Sequence, residues 1–270
     1  MSSRDLISVV IPALNEEEGI ARTINEIPKA ELATMGYDCE TLVVDGGSKD
    51  CTREIARKCG AEVIIEPRPG YGIAYKTGFA NTHGEILVAL DADFSYPAFL
   101  IPKLIKLLEE QGLDFVSTNR LNGFSQDSFN KSHIIGNKIL TYFTRVLFRV
   151  NISDSQSGMW VFRKRILETT NPSSDGMPFS EEIKVFAFRF FKSAEISIPY
   201  RKRIGKQKLR TLLDGVKNLS YLFFLSASFS NLARLLNSSK TVKLNAVKFE
   251  TGPSYGRIVP SLWTPRNWAM

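Results

Sequence analysis

The 270-residue sequence predicts an α/β fold: a mostly parallel central sheet flanked by helices, with an amphipathic, interfacial helix added near the C-terminus. Three observations carry that expectation. Short apolar runs of strand length alternate with stretches of helical periodicity, the pattern of a sheet wound by right-handed crossovers. The run Ile86–Leu90 (ILVAL) has no polar alternation, as expected of a strand covered on both faces. Runs ending near residues 12, 45 and 90 pass into polar, turn-rich loops. A parallel sheet would gather those loops on one edge, where open α/β sheets bind ligands.

The elements follow in order. Residues 6–11 (LISVVI) read as a strand closed by Pro12, and Asn15-Glu16-Glu17-Glu18 as the capped, acidic start of a helix to about Ile27. A strand over 40–45 ends in Asp45-Gly46-Gly47-Ser48-Lys49-Asp50, where the glycines permit a tight turn and Ser48 or Asp50 caps a helix carrying Cys51–Lys58. A strand over 61–66 leads through Arg68-Pro69-Gly70-Tyr71-Gly72 into a helix to about Asn81. The central strand then ends in Asp91-Ala92-Asp93. Residues i and i+2 of an extended chain point the same way, so these carboxylates converge and suit Mg²⁺ or Mn²⁺ bridged to a phosphate. An acidic turn after a buried strand is the alternative. Pro97 opens a helix to Gln111, and 113–118 is a further strand. Residues 136–150 form an amphipathic helix, Asp154–Gly158 (DSQSG) a polar turn, and 183–191 a helix with Glu181 and Glu182 as its N-terminal charges. Leu219–Phe229 is too short to span a bilayer; it suits an interfacial helix, or one packed on the domain. The chain thus divides into a domain over 1–215, an apolar helix over 216–236 and an irregular, mobile or surface-draped tail over 237–270.

Composition narrows the function. The formal charge of +7, from 35 Lys+Arg against 28 Asp+Glu, points to an anionic partner: nucleic acid, a phosphorylated substrate or an acidic membrane. Cys39, Cys51 and Cys59 lack CxxC spacing, which argues against a zinc site or disulfide framework and for a reduced, cytoplasmic setting. PALNEEEG stands where a dinucleotide-binding glycine turn would follow the first strand, and no GxxxxGK[ST] loop is present. Nicotinamide and P-loop chemistry are therefore disfavoured.

The ordered set Ile11–Glu16 (IPALNE), Val43–Ser48 (VVDGGS), Gly70–Gly78 (GYGIAYKTG), Asp91-Ala92-Asp93, Asp154–Gly158 and Pro199–Leu209 (PYRKRIGKQKL) resembles glycosyltransferase family 2 and its GT-A nucleotide-sugar fold. Within that family it is similar to polyprenyl-phosphate hexose transferases such as dolichol-phosphate mannose synthase. The resemblance covers about residues 6–215. It implies that Pro12, Asn15, Glu16 and Asp45 line the base and ribose pocket, with Gly72 beside the nucleotide. It further implies that Asp91 and Asp93 bind the divalent ion. Arg120 would contact phosphate, and Lys131 and His133 would face the acceptor phosphate. Arg203 and Lys208 match the family's Y-x-x-R-x-G-x-x-K-L pattern and would clamp the two phosphate groups, in a loop ordered only when substrate fills the site. Asp154 is a general base in many members; with an already anionic phosphate acceptor it would orient the acceptor arginines instead. This chain departs from the family at Gly46, at Ser95-Tyr96, at Ser132–Ile135 and at Met159-Trp160.

The implied activity is inverting transfer of a hexose from a GDP- or UDP-sugar to a polyprenyl (dolichyl) phosphate by a peripheral protein on the cytosolic membrane face. Transfer to a glycan or lipid-linked oligosaccharide is the nearest alternative. A non-catalytic basic module binding nucleic acid or membrane is the alternative of another class.

Overall fold

The computed structural model describes residues 4–121, 131–170, 172–205 and 215–227. The chain divides into a compact unit over Met1–Ser226 and a second over Ala227–Met270, and the first holds the sheet. Its strands are β1 (Asp5–Ala13), β2 (Tyr37–Asp45), β3 (Glu62–Ile65), β4 (Ile86–Ala89), β5 (Phe115–Asn119), β6 (Trp160–Arg163) and β7 (Ser193–Ser197), in the sheet order β3-β2-β1-β4-β6-β5-β7. Every neighbouring pair is parallel except those made by β6, which runs antiparallel to β4 and β5. The mixed α/β architecture is the one the sequence predicts.

The helices are α1 (Ile20–Asn25), α2 (Lys29–Thr34), α3 (Thr52–Lys58), α4 (Tyr71–Ala80), α5 (Ile101–Glu110, after a 3₁₀ turn at Ala98–Leu100), α6 (Lys131–Phe148), α7 (Arg165–Thr170) and α8 (Phe179–Phe190). A further helix, α9, covers residues 215–227. Successive β1 side chains enter opposite layers. Val9 and Ile11 join one core cluster with Val43, Val88 and Leu104, while Val10 joins another with Val44, Tyr75 and Trp160. Burial on both faces explains the uninterrupted apolar runs. Each such side chain contributes about 1.5–3 kcal/mol relative to exposure. Tyr75 anchors the second layer, with its ring 5.2 Å from Trp160 and 5.9 Å from Phe179.

The register Ala13↔Asp45 puts the exits of β1 and β2 side by side, and Val10↔Ala89 brings the end of β4 next to them. Because β6 runs the other way, the turn before it lies on this same edge, with the exits of β5 and β7. One rim therefore collects residues 12–16, 45–50, 91–95, 120, 154–158 and 199–205.

Several local expectations change. The helix expected from Asn15 begins at Ile20, because Asn15 adopts a left-handed φ of 48° and the following turn is tied to the loop after β2. Asp91-Ala92-Asp93 lies in a turn beyond the strand rather than along an extended chain. Glu181 and Glu182 are in the first turn of α8 but are fully buried and hydrogen-bonded, so they are not solvated helix charges. Elements α2, α7, β6 and β7 carry no sequence signal strong enough to predict them. Helix α9 packs on the domain through buried Leu222 and Leu225, and Tyr221 Oη donates to Glu182 Oε2 at 2.8 Å. Its outer face keeps Val216, Phe223 and Phe224 exposed. Among the described residues no helix is long and apolar enough to cross a membrane. The expected tail over 237–270 lies outside the described residues.

Candidate active site

One half of the rim is built from the loops after β1 and β2. Asn15 N–H donates to Ser48 Oγ at 2.8 Å, Lys49 N–H to Asn15 Oδ1 at 2.7 Å, and Glu16 N–H to Thr52 Oγ1 at 2.8 Å. These bonds tie Asn15 and Glu16 to the loop that Asp45 opens. Asp45 is fully buried. Its Oδ2 accepts from Gly47 N–H at 3.1 Å and Ser48 N–H at 3.0 Å, with Arg53 Nε 3.9 Å away. Its Oδ1 is buried with no hydrogen-bond partner among the described residues. An unmet buried acceptor costs about 1–3 kcal/mol, which a ligand hydroxyl would recover.

The segment after β7 crosses the turn holding Asp91 and Asp93. Arg201 N–H donates to the Ser95 carbonyl at 3.1 Å and Ile204 N–H to that of Asp93 at 2.9 Å. The Arg201 guanidinium grips Glu26 with bonds of 3.0 and 2.8 Å and lies 4.4 Å from the centre of the Phe94 ring. This anchorage delivers Arg203, whose guanidinium is 3.3 Å from Glu16 Oε1 and 3.5 Å from Asp93 Oδ2. Arg201 and Arg203 are thus held by carboxylates, and the basic loop from residue 206 onward lies outside the described residues. Arg203 Nε is a buried donor with no partner among the described residues. Lys208 lies outside them.

Asp93 is buried and accepts from Ser95 N–H at 3.0 Å and from the Ser95 hydroxyl. Asp91 is half-buried and accepts from Tyr71 Oη at 3.1 Å. Loss of solvent and the nearby Asp93 charge push its carboxyl up to about 7. Two crowded carboxylates suit a divalent cation, which removes their repulsion. Among the described residues no group of three or more His, Cys, Asp or Glu side chains could hold a metal. The fit is therefore to a cation completed by substrate oxygens and water. Gly158 closes this pocket: a Cβ there would overlap the Asp91 carboxylate. Gly72 instead allows α4 to approach the loop before α8, since a Cβ would overlap the Ser174 carbonyl and stand 2.8 Å from Phe179 Cβ.

The other half of the rim centres on Arg120, which leaves β5 and is buried. Asp154 is fully buried and receives three bonds from it: backbone N–H to Oδ2 at 3.0 Å, Nε to Oδ2 at 2.7 Å and a terminal nitrogen to Oδ1 at 2.8 Å. Gln156 N–H adds a bond to Oδ1 at 3.1 Å. Burial opposes ionisation of Asp154, but the Arg120 guanidinium and these bonds prevail and hold it below the usual carboxylate range. Arg120 lies 5.4 Å from the Tyr200 ring centre, and Tyr200 meets Tyr96 edge-on at 5.2 Å. His133 senses the same cation: partial burial and Arg120 together lower its pKa. Lys131 opens α6, but its side chain lies outside the description.

Sequence reasoning missed Tyr71, Tyr96, Arg201 and Lys184. Tyr71 and Arg201 sit inside quoted motifs. Lys184 carries no signal, since a lysine in an amphipathic helix reads as solvated.

Residues 8–170 match the Glycosyl transferase family 2 domain. The dolichyl-phosphate hexose transferase of Haloferax volcanii is 31% identical over 211 residues, covering 78% of this chain and 90% of that protein. The low-salt glycan biosynthesis hexosyltransferase Agl6 of the same organism is 36% identical over 219 residues, covering 80% of this chain. The match spans about half of that longer relative, 52% of its length. Among solved structures, glucosyl-3-phosphoglycerate synthase from Mycobacterium tuberculosis in complex with Mn²⁺, UDP-glucose and phosphoglyceric acid superposes with a TM-score of 0.68 at 23% identity. It covers 84% of this chain and 81% of its own, a likeness of fold.

Proposed function

The chain belongs to glycosyl transferase family 2, and from that premise we propose that it moves a hexose from a nucleotide sugar to a polyprenyl phosphate, with inversion and with the help of Mg²⁺ or Mn²⁺. The name of the Haloferax volcanii relative, a dolichyl-phosphate hexose transferase, agrees with that acceptor.

The donor half of the rim suits a nucleoside diphosphate. Asp45 Oδ1 offers an acceptor for a sugar hydroxyl, and Arg203 Nε a donor for a phosphate oxygen; each is buried and unmet among the described residues. Asp91 and Asp93 would hold the cation, which neutralises charge gathering on the departing diphosphate. Arg203, already delivered to Asp93, would add a second cation on the same oxygens.

The observation that carries the choice of acceptor is the state of Asp154. Both its oxygens are committed to Arg120 and Gln156 in a fully buried position, an arrangement unsuited to taking a proton from an incoming hydroxyl. A phosphate monoester needs no such base, because its second pKa is about 6. Arg120, fixed by Asp154 and flanked by Tyr200, would bind that phosphate and aim its oxygen at the anomeric carbon. A polyprenyl tail also has a surface to meet. Helix α6 exposes Ile135, Ile139, Tyr142 and Val146 along one stripe, and α9 exposes Val216, Phe223 and Phe224. Such a face supports peripheral membrane contact.

Calorimetric titration of UDP and GDP, each with and without Mn²⁺, tests the donor half. One nucleotide should bind only with the metal. Equal binding of neither, with salt-sensitive binding to polyanions, would favour a non-catalytic basic module.

A further inference from the structure

Beneath the turn over residues 154–158 lies a charged side chain that the mechanism above does not use. Lys184, on α8, is 0% exposed. Its ammonium donates to the Ser155 carbonyl at 2.9 Å and to the Ser157 carbonyl, and stands 5.6 Å from the Trp160 ring centre. Burying an ammonium is costly, and the loss of solvent here lowers its pKa to about 7. A methionine of similar volume would fill the space without that cost. The charge therefore needs a reason, and its contacts supply one.

The two carbonyls belong to the turn that carries Asp154. From the opposite side, the carboxylate of Glu195 on β7 accepts from Ser153 N–H at 2.9 Å and Asp154 N–H at 2.9 Å. The turn is thus gripped by an anion on its N–H groups and a cation on its carbonyls. What it delivers is the Asp154 carboxylate, in register with the guanidinium of Arg120. A second link runs through the Ser157 hydroxyl, 2.6 Å from that of Thr118, two residues before Arg120 on β5.

We propose that Lys184 is a positioning residue for the acceptor phosphate: by drawing the Ser155 and Ser157 carbonyls inward it sets the Asp154–Arg120 pair in the orientation that receives the anion. The proposal rests on the acceptor reading above. The donor half is built from β1, β2, the exit of β4 and the segment after β7, and meets this turn only at Gly158, against Asp91, so the demand on it is the smaller one. A lysine that merely stabilised the fold would affect both halves alike.

The test uses the full chain and geranyl phosphate as a short acceptor probe, titrated calorimetrically into protein saturated with the donor nucleotide and Mn²⁺. Lys184→Met should weaken geranyl phosphate binding about tenfold. The affinity for the nucleotide with Mn²⁺ should stay within about twofold of wild type, because the groups assigned to it make no contact with Lys184 and meet its turn only at Gly158. Lys184→Gln keeps an N–H donor for the carbonyls and should recover part of the loss; it also carries the comparison should the methionine variant not fold. In turnover, the change should fall on KM for the acceptor rather than on kcat. Unchanged geranyl phosphate affinity in a folded variant would overturn the role of Lys184, as would parallel loss of nucleotide affinity. Failure of the wild type to bind geranyl phosphate while binding nucleotide and Mn²⁺ would instead overturn the acceptor reading, and the proposal with it.

Discussion

Replacing Asp154 by Asn separates the two roles open to this residue. The pair with Arg120 is buried on both sides, with side chains 8% and 0% exposed. Asn keeps the shape but removes the charge and turns an N–H₂ group toward the guanidinium. Breaking a buried pair from one side costs roughly 3–5 kcal/mol, since the remaining charge loses its partner without regaining water. A domain of this size shifts by about 2–4 °C per kcal/mol, so Tm should fall on the order of 10 °C. Kinetics at a temperature where the variant is folded then distinguish orientation from proton transfer. A misplaced Arg120 raises KM for polyprenyl phosphate, about tenfold, with a smaller change in kcat. A lost general base lowers kcat by about 10²–10⁴ at unchanged KM. The second pattern would refute the reasoning, and so would a variant that melts within about 1 °C of wild type.

Three further outcomes follow from the same geometry. Asp93→Ala should abolish metal-dependent turnover and the metal-dependent part of nucleotide binding, read by calorimetry; undiminished turnover would remove Asp93 from the site. Gly158→Ala sets a methyl against the Asp91 carboxylate and should cost about 1–3 kcal/mol of stability together with most of the activity, whereas a silent substitution would contradict the close approach. Glu66 is held at a pKa of about 2, chiefly by hydrogen bonds from Arg68, against an ordinary 4.5. A depressed carboxyl stabilises the fold above pH 4.5 and loses that contribution as pH falls toward 2, so the Tm gap between wild type and Glu66→Gln should close over that interval.

Much of this arrangement is legible in the sequence. The apolar run of β4 needed only its composition, and the polar exits of β1, β2 and β4 needed only a parallel sheet to bring them together. Signals that depend on tertiary partners were not legible. Strand β6 is a four-residue apolar stretch whose antiparallel direction comes from its neighbours, yet that direction is what carries Asp154 to the rim. Asp91 and Asp93 come close as an i, i+2 pair would, yet a turn held by Ser95, not an extended strand, brings them together. Glu181 shows the limit most plainly. An acid at a helix start normally faces water, but here it is fully buried beside Gln156, and that burial raises its pKa to about 8. Residue type and position gave no hint of that enclosure. For Arg201, the sequence offered a run of cations; the partner Glu26 lies 175 residues away, beyond any local pattern.

The most direct test of the account is mass spectrometry of the lipid product. Purified protein, polyprenyl phosphate, Mn²⁺ and a panel of GDP- and UDP-hexoses should yield, with one donor, a lipid phosphate heavier by a single hexose, and none once the metal is chelated. An unmodified lipid with every donor, while sugar appears instead on a neutral glycan hydroxyl, would contradict the acceptor that Arg120 and Asp154 are argued to select.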